Sequence, residues 1–376
     1  MLSRCTLVVL SAVARSSEID VAKPLAAESC DVRIASLAPF GAEVALPTNA
    51  STLPPCGVES LRAALTEHRV LVLRDLDLSM RDHVSLARKL GTVDEEMSRP
   101  PPYVESGVHV SDGSAARKTS GFLAWFKRPT QKAIVRARAD QRAAGEPLEV
   151  FKVVTDPSDV LAFGEGFHTD LTYLQNPPRA AILVSRKLSP PGTGDTLFVD
   201  AFALAATLPP ELRARAAGRH ALHTDKAGRN ATHPVLRVVS GRPALWVNRH
   251  FARRLASDGD ESPADAALLE ELLAHIDAAT AGRVPGAELL RIDWHSAGDV
   301  VMWDERATQH AAVHDYAGHG REMHRVLLAS LGGDDDAEIS PTCSGDADAG
   351  VAPHCSGDAD AGVAPNCSGD GSSPAA

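Results

Sequence analysis

Gly298-Asp-Val-Val-Met-Trp-Asp-Glu-Arg-Ala-Thr-Gln-His310 is the stretch on which the fold turns. Val300 to Trp303 is an apolar run that reads as a buried strand, and it delivers a turn and then a histidine. Short strand-like runs recur at Ala181 to Ser185, Thr196 to Val199, Leu236 to Val239, Ala244 to Asn248, Leu289 to Trp294 and Arg325 to Ser330. Turn signals such as Pro190-Pro-Gly192 and Ser240-Gly-Arg-Pro243 punctuate them. Many short strands separated by Gly and Pro point to a β-sandwich or jelly roll.

Toward the N-terminus, Val58 to His68 has helical spacing and Val70-Leu-Val-Leu-Arg74 reads as a buried strand. Ser79-Met-Arg-Asp82 has the pattern of a capping box, opening a helix that stops at Gly91. A longer helix is expected from Pro263 to Ala279. The fold class expected is therefore α+β, mainly β, with a jelly-roll core and flanking helices. Pro101 to Pro147 differs in character: Ser, Gly and Pro turns lead to Gly121-Phe-Leu-Ala-Trp-Phe126 and then to a basic stretch with Lys127, Arg128, Lys132, Arg136, Arg138 and Arg142. It reads as an insertion or lid, or as a solvated amphipathic helix packed by Phe122, Trp125 and Phe126.

Three segments follow from these boundaries: an extension over 1–30, a folded domain over 31–335 with the insertion at about 101–147, and a tail over 336–376. In the extension, Met1 to Ser17 carries Arg4 and Arg15, no acidic residue and the apolar stretch Leu7 to Ala14, the composition of a transit or short signal peptide. A frayed tail is the competing reading, and a cytoplasmic or organellar location is expected. In the tail, Cys343-Ser-Gly-Asp-Ala-Asp-Ala-Gly-Val-Ala-Pro-His354 repeats with a period of 12 residues. Such a composition buries too little apolar surface to offset chain entropy, so disorder is expected.

The chain has 376 residues, a net charge of -11 and 44% hydrophobic residues, which is enough for one large core. No apolar run approaches the roughly 18 residues that a membrane-spanning helix needs. The acidity argues against a nucleic-acid partner, since phosphate contacts need a clustered basic face. A small-molecule partner is expected instead, with association between copies of the chain left open. The six cysteines avoid the central region and none forms a CxxC pair, so neither a zinc site nor a disulfide framework is expected.

Chemistry concentrates in two places. Gly164-Glu-Gly-Phe-His168-Thr-Asp170 places an imidazole and a carboxylate two residues apart, on one face of an extended strand. A second histidine would complete a two-His, one-carboxylate facial triad with open positions for cosubstrate and dioxygen. His310 is the leading partner, and by residue type His314, His319 and His324 compete with it. Downstream, Gly320-Arg321-Glu-Met-His-Arg325 places two arginines at the start of another apolar strand, and a guanidinium fork grips a carboxylate through paired charge-assisted bonds.

Taken in order, Val70-Leu-Val-Leu-Arg-Asp75, His168-Thr-Asp-Leu-Thr-Tyr173, Pro177-Pro178, Gly194-Asp-Thr-Leu197, Val247-Asn248, Trp303-Asp and Thr308-Gln-His310 resemble the taurine dioxygenase family of Fe(II)/2-oxoglutarate-dependent enzymes. The resemblance spans about Asp31 to Leu331. It implies a double-stranded β-helix and a dioxygenase using O2, with iron held by His168, Asp170 and His310. It further implies that Thr196 and Arg321 hold the distal carboxylate of 2-oxoglutarate, and that Arg325 faces the anionic group of the substrate. Two departures stand out. Asp94-Glu-Glu96 lies where taurine dioxygenase places a sulfonate-binding histidine, which argues against taurine, and Glu305 stands where the family often has asparagine. A hydroxylase of a trimethylammonium or other carboxylate substrate, or a non-catalytic jelly-roll binding protein, are the alternatives.

Overall fold

The computed structural model describes residues 9–10, 30–47, 49–98, 129–158, 164, 166–256 and 262–332. The strands that build the site are β1 (Arg33–Ser36), β2 (Ala42–Ala45), β3 (Val70–Leu73), β4 (Gly91–Val93), β5 (Phe151–Thr155), β6 (Ala180–Lys187), β7 (Thr196–Asp200), β8 (Leu289–Ile292), β9 (Val300–Asp304), β10 (Thr308–Ala312) and β11 (Arg321–Leu331). The helices that flank them are α1 (Pro55–His68), α2 (Met80–Leu90), α3 (Pro129–Ala143) and α4 (Pro263–Thr280). The large sheet runs β1-β2-β3-β9-β6-β11-β4, with β5 also paired to β11 and Val9–Leu10 parallel to β1. The small sheet runs β8-β7-β10 and is antiparallel throughout.

The apolar runs are unbroken in sequence because the large sheet is covered on both sides. Along β9, Val300 and Met302 join the core beneath α1 and α2, whereas Val301 and Trp303 join a second core facing the small sheet. The same alternation splits Leu71 and Leu73 of β3 from Val70 and Val72. That second core also takes Phe198 from β7 and Leu290 and Ile292 from β8, so it fills the space between the sheets. Outside the small sheet a third core gathers Val199, Leu245 and the Leu268, Leu272 and Ile276 face of α4. The chain is thus strand-rich and mixed α/β, in layers.

The local signals explain the entry helices. Pro55 opens α1 at a position where its missing N–H is no loss, and Arg69, at φ 67, closes it by donating its N–H to Leu65 at 2.8 Å. Ser79 caps α2 by accepting the Asp82 N–H at 3.1 Å. At the end of α2 a Cβ on Gly91 would lie 1.8 Å from the Ser330 carbonyl oxygen, so only glycine lets β4 reach β11.

Several expectations need correction. Cys30 and Cys56 form a disulfide, with Cα atoms 5.7 Å apart. Sequence spacing does not measure spatial approach: the approach to β1 and the first turn of α1 bring together residues separated by 26 positions. The other cysteines, the 12-residue repeats, residues 1–8 and 11–29, and the Gly121 to Phe126 segment lie outside the described residues. The strand expected at Ala244 to Asn248 is Arg242–Leu245, shifted toward the turn at Ser240-Gly241; the Trp246 N–H adds one more bond in register to the Val235 carbonyl at 2.8 Å before the chain turns away. The run expected to reach Trp294 ends at Ile292. His310 sits within a strand that its polar neighbours concealed. In the Pro101 to Pro147 segment, α3 buries Ile134, Arg138 and Gln141, and Gln141 donates to the Val150 carbonyl at 3.0 Å. Among the described residues no helix is long and apolar enough to cross a membrane.

Candidate metal centre

His168 and His310 are joined through their backbones. His168 N–H donates to the His310 carbonyl at 3.0 Å and His310 N–H to the His168 carbonyl at 2.8 Å, an antiparallel bridge that ties His168, outside the named strands, to His310 in β10. Their ring centroids stand 4.4 Å apart. His168 Nδ1 lies 2.9 Å from the Gly166 carbonyl, and Nε2 lies 3.6 Å from Asp170 Oδ1. One donor atom from each of His168, Asp170 and His310 lies within 4.8 Å of the others, and all three side chains are buried. Among the described residues, His314, His319 and His324 join no such group.

The His-x-Asp pair does not continue as a strand. Asp170 opens a turn, and Leu171 adopts a left-handed φ of 51, a conformation that costs a non-glycine residue about 1–3 kcal/mol. Two bonds hold this geometry: Thr169 Oγ1 donates to the Thr308 carbonyl at 3.0 Å, and Asp170 N–H donates to Glu305 Oε2 at 3.0 Å. Glu305 Oε1 accepts the Trp303 indole N–H at 2.7 Å.

The charge states suit a cation. Burial alone would raise the Asp170 carboxyl, but Arg325, donating from Nη1 to Oδ2 at 2.6 Å, together with the neighbouring imidazoles holds it well below the usual carboxylate range. Burial, reinforced by His168, holds the His310 imidazole well below its ordinary value. Burial and the adjacent Asp170 push the Glu305 carboxyl in the opposite direction, well above its usual range. An ionised carboxylate beside a neutral imidazole is the pairing that ligates a divalent ion.

Strand parity places the remaining predicted residues. Arg321 and Arg325 share a face of β11 with Met323 and Leu327, which belong to the core between the sheets, and Thr196 shares a face of β7 with Phe198 of that core. Arg321 is buried near the rings of Trp294 and Tyr316, each 5.8 Å from Cζ, and its Nε and Nη2 find no hydrogen-bond partner among the described residues. Thr196 Oγ1 accepts the Trp294 indole N–H at 3.2 Å. Arg325 Nε is likewise buried without a partner among the described residues. Parity also removes a competitor: His324 lies on the opposite face of β11, 2.7 Å from Glu322 Oε1. His314 packs on Tyr316, with ring centroids 4.6 Å apart. Asp94 is used within its own turn, accepting the Glu96 N–H at 2.8 Å, and Glu95 faces Arg138.

Sequence reading missed two neighbours of the centre. His250 lies 4.7 Å from His168, ring to ring, in space that a side chain at Gly166 would contest, since a Cβ there would meet His250 Cε1 at 3.1 Å. Trp303 packs on His310 at 4.9 Å while bonded to Glu305. His250 carries no spacing signal, because its contact joins segments distant in sequence, whereas Trp303 is near His310 in sequence and entered the reading only as part of the Trp303-Asp motif, with no role at the centre.

With this geometry in view, comparison with known proteins gives a consistent result. A sequence model described as "Taurine catabolism dioxygenase TauD, TfdA family" matches residues 33–327. The alpha-ketoglutarate-dependent sulfate ester dioxygenase of Pseudomonas putida is 34% identical over 190 residues, covering 43% of this chain and 59% of that relative. The alpha-ketoglutarate-dependent 2,4-dichlorophenoxyacetate dioxygenase of Cupriavidus pinatubonensis is 31% identical over 288 residues, covering 72% of this chain and 87% of that one. A solved taurine dioxygenase from Burkholderia xenovorans superposes with a TM-score of 0.57 at 26% identity, covering 80% of this chain and 91% of the other.

Proposed function

Because the chain belongs to the taurine catabolism dioxygenase TauD, TfdA family, we propose that it is an Fe(II)- and 2-oxoglutarate-dependent dioxygenase. It hydroxylates a small anionic organic substrate, with succinate and carbon dioxide as coproducts. The observation that carries this reading is the buried donor set of His168, Asp170 and His310, with one atom of each within 4.8 Å of the others, together with a buried Arg321 on the strand face turned to the core between the sheets whose Nε and Nη2 lack partners among the described residues.

Both groups fit the residues present. Two imidazoles and one carboxylate, three donors that leave the other positions of a six-coordinate ion to further ligands, suit Fe(II). Two orphaned, buried N–H donors on Arg321 are costly unless an anion accepts them, and the far carboxylate of 2-oxoglutarate is such an anion. Bound together, Fe(II) and 2-oxoglutarate supply the oxidising chemistry with O2. Within the protein, Arg321 and Thr196 hold the cosubstrate's distal end. Arg325 orients Asp170 through Nη1 and presents its Nε to the substrate's anionic group, while burial keeps bulk water out. The two facing sheets are read as a double-stranded β-helix, with 31–335 as the catalytic domain. The relatives named for sulfate esters and an aryloxyacetate support an anionic substrate.

An anaerobic titration of the purified protein with Fe(II) and 2-oxoglutarate tests this. A visible metal-to-ligand charge-transfer band is expected, and its absence from folded, iron-loaded protein would sink the reading. Succinate release across sulfonates, sulfate esters, aryloxyacetates and betaines then selects the substrate class.

A further inference from the structure

Glu305 begins the turn between β9 and β10 and is buried completely. Two donors from different parts of the chain converge on it: the Asp170 backbone N–H on Oε2 at 3.0 Å and the Trp303 indole N–H on Oε1 at 2.7 Å. Its own N–H is anchored to the Arg179 carbonyl at 3.1 Å, and the Arg179 side chain is paired with Asp304. The carboxyl therefore has little freedom to turn away.

We propose that Glu305 is a positioning residue of the metal centre, one side chain that fixes two of its three ligands. This rests on the metal reading above. Through Asp170 N–H it holds the turn at which Leu171 takes its left-handed conformation, and so aims the carboxylate. Through the indole it holds the Trp303 ring 4.9 Å from the His310 ring, and so limits how that imidazole can tilt. The residue type follows from the number of acceptors. Two N–H groups need two oxygens with lone pairs, and a carboxyl supplies both whether ionised or neutral. A side-chain amide supplies one, and turns its NH2 on the other donor. Any apolar residue leaves both N–H groups buried and unsatisfied. An aspartate is shorter by a methylene and cannot span the same pair from this backbone position.

The test uses Co(II) alone as the probe, bound to the full-length protein. Affinity and visible d–d bands are recorded for wild type, Glu305→Gln, Trp303→Phe and the double variant. Loss of an outer partner of a ligand lowers metal affinity by about 10-fold to 100-fold, so Glu305→Gln is expected to weaken Co(II) by at least about 10-fold and to move the d–d bands. Adding Glu305→Gln to Trp303→Phe is expected to cost little more than Trp303→Phe alone, because the single amide oxygen is then free for Asp170 N–H. Wild-type affinity and bands in Glu305→Gln, or fully additive losses in the double variant, overturn the proposal. If Glu305→Gln alone fails to fold while the double variant folds, the same coupling is read as stability and supports it. Unfolding of both Gln variants makes Glu305 a determinant of the fold and overturns the positioning role. Wild-type protein that binds no Co(II) sinks the metal reading itself, an outcome separate from the others.

Discussion

His168 and His310 exchange both backbone hydrogen bonds, at 3.0 and 2.8 Å, so the 4.4 Å spacing of their rings is set by ladder geometry and not by side-chain torsion alone. Asp170 completes the donor set two residues on. A centre built into the backbone in this way couples ion binding to folding. A divalent ion at 100 times its dissociation constant is expected to add about 2.7 kcal/mol of stability. Anaerobic urea unfolding with and without metal measures it. His310→Ala and Asp170→Ala should lose the increment, and equal stabilisation of His310→Ala by metal would place the ion elsewhere.

Arg321 and Arg325 share a strand face but not a partner, and their variants should separate. Charge-assisted bonds contribute about 1.5–3 kcal/mol each, so losing two at Arg321→Ala should weaken 2-oxoglutarate at least about 100-fold. Arg325→Ala should spare 2-oxoglutarate binding and impair turnover of the primary substrate. It also strands the buried Asp170 carboxylate, a loss of about 3–5 kcal/mol in the metal-free protein. Cosubstrate affinity followed by the charge-transfer band decides between them, and the reverse pattern would exchange the two roles.

The strands of the large sheet were readable because burial on both sides makes them apolar throughout, as at Val300 to Trp303 and Val70 to Leu73. The candidate donor set was readable in part. His-x-Asp placed two of its members, and the Arg321 to Arg325 spacing placed two cations on one face, because strand parity is a local property. What remained hidden depends on contacts between distant segments. His310 lies in a polar strand whose partners are Phe198 and His168, more than a hundred residues away. Glu305 was noticed as a departure from the family, but its bond from Asp170 N–H, like the Cys30–Cys56 bond, leaves no mark in local spacing. Choosing among His310, His314, His319 and His324 needed the spatial grouping of donor atoms, with the opposite facing of His324 on β11 removing that one residue.

The disulfide bears on stability directly. Cross-linking residues separated by 26 positions restricts the unfolded chain and is expected to contribute about 3 kcal/mol. Cys30→Ser and Cys56→Ser should each lower the thermal midpoint, and reductant should lower that of the wild type to the same level. A reductant that leaves the wild-type midpoint unchanged would show that the bond does not form in solution.

Acid should weaken the fold through His83. This side chain is buried in α2, where Nε2 donates to the Ile182 carbonyl at 3.2 Å and Nδ1 has no partner among the described residues. Burial first, then His324 and Arg186, lower its pKa from 6.5 to about 3. Above pH 6.5 the imidazole is neutral in both folded and unfolded chains, and its contribution is fully present. As pH falls from 6.5 toward about 3, the unfolded chain takes up a proton that the folded chain refuses. Stability should then fall by about 1.4 kcal/mol per pH unit from this group. His83→Gln keeps an N–H for Ile182 and removes the titration. Its unfolding free energy in urea should therefore decline less steeply than that of the wild type between about pH 6 and about pH 4, whatever the substitution costs at neutral pH. Parallel curves for the two proteins would show that His83 does not titrate across folding, and the acid sensitivity would have to come from other groups.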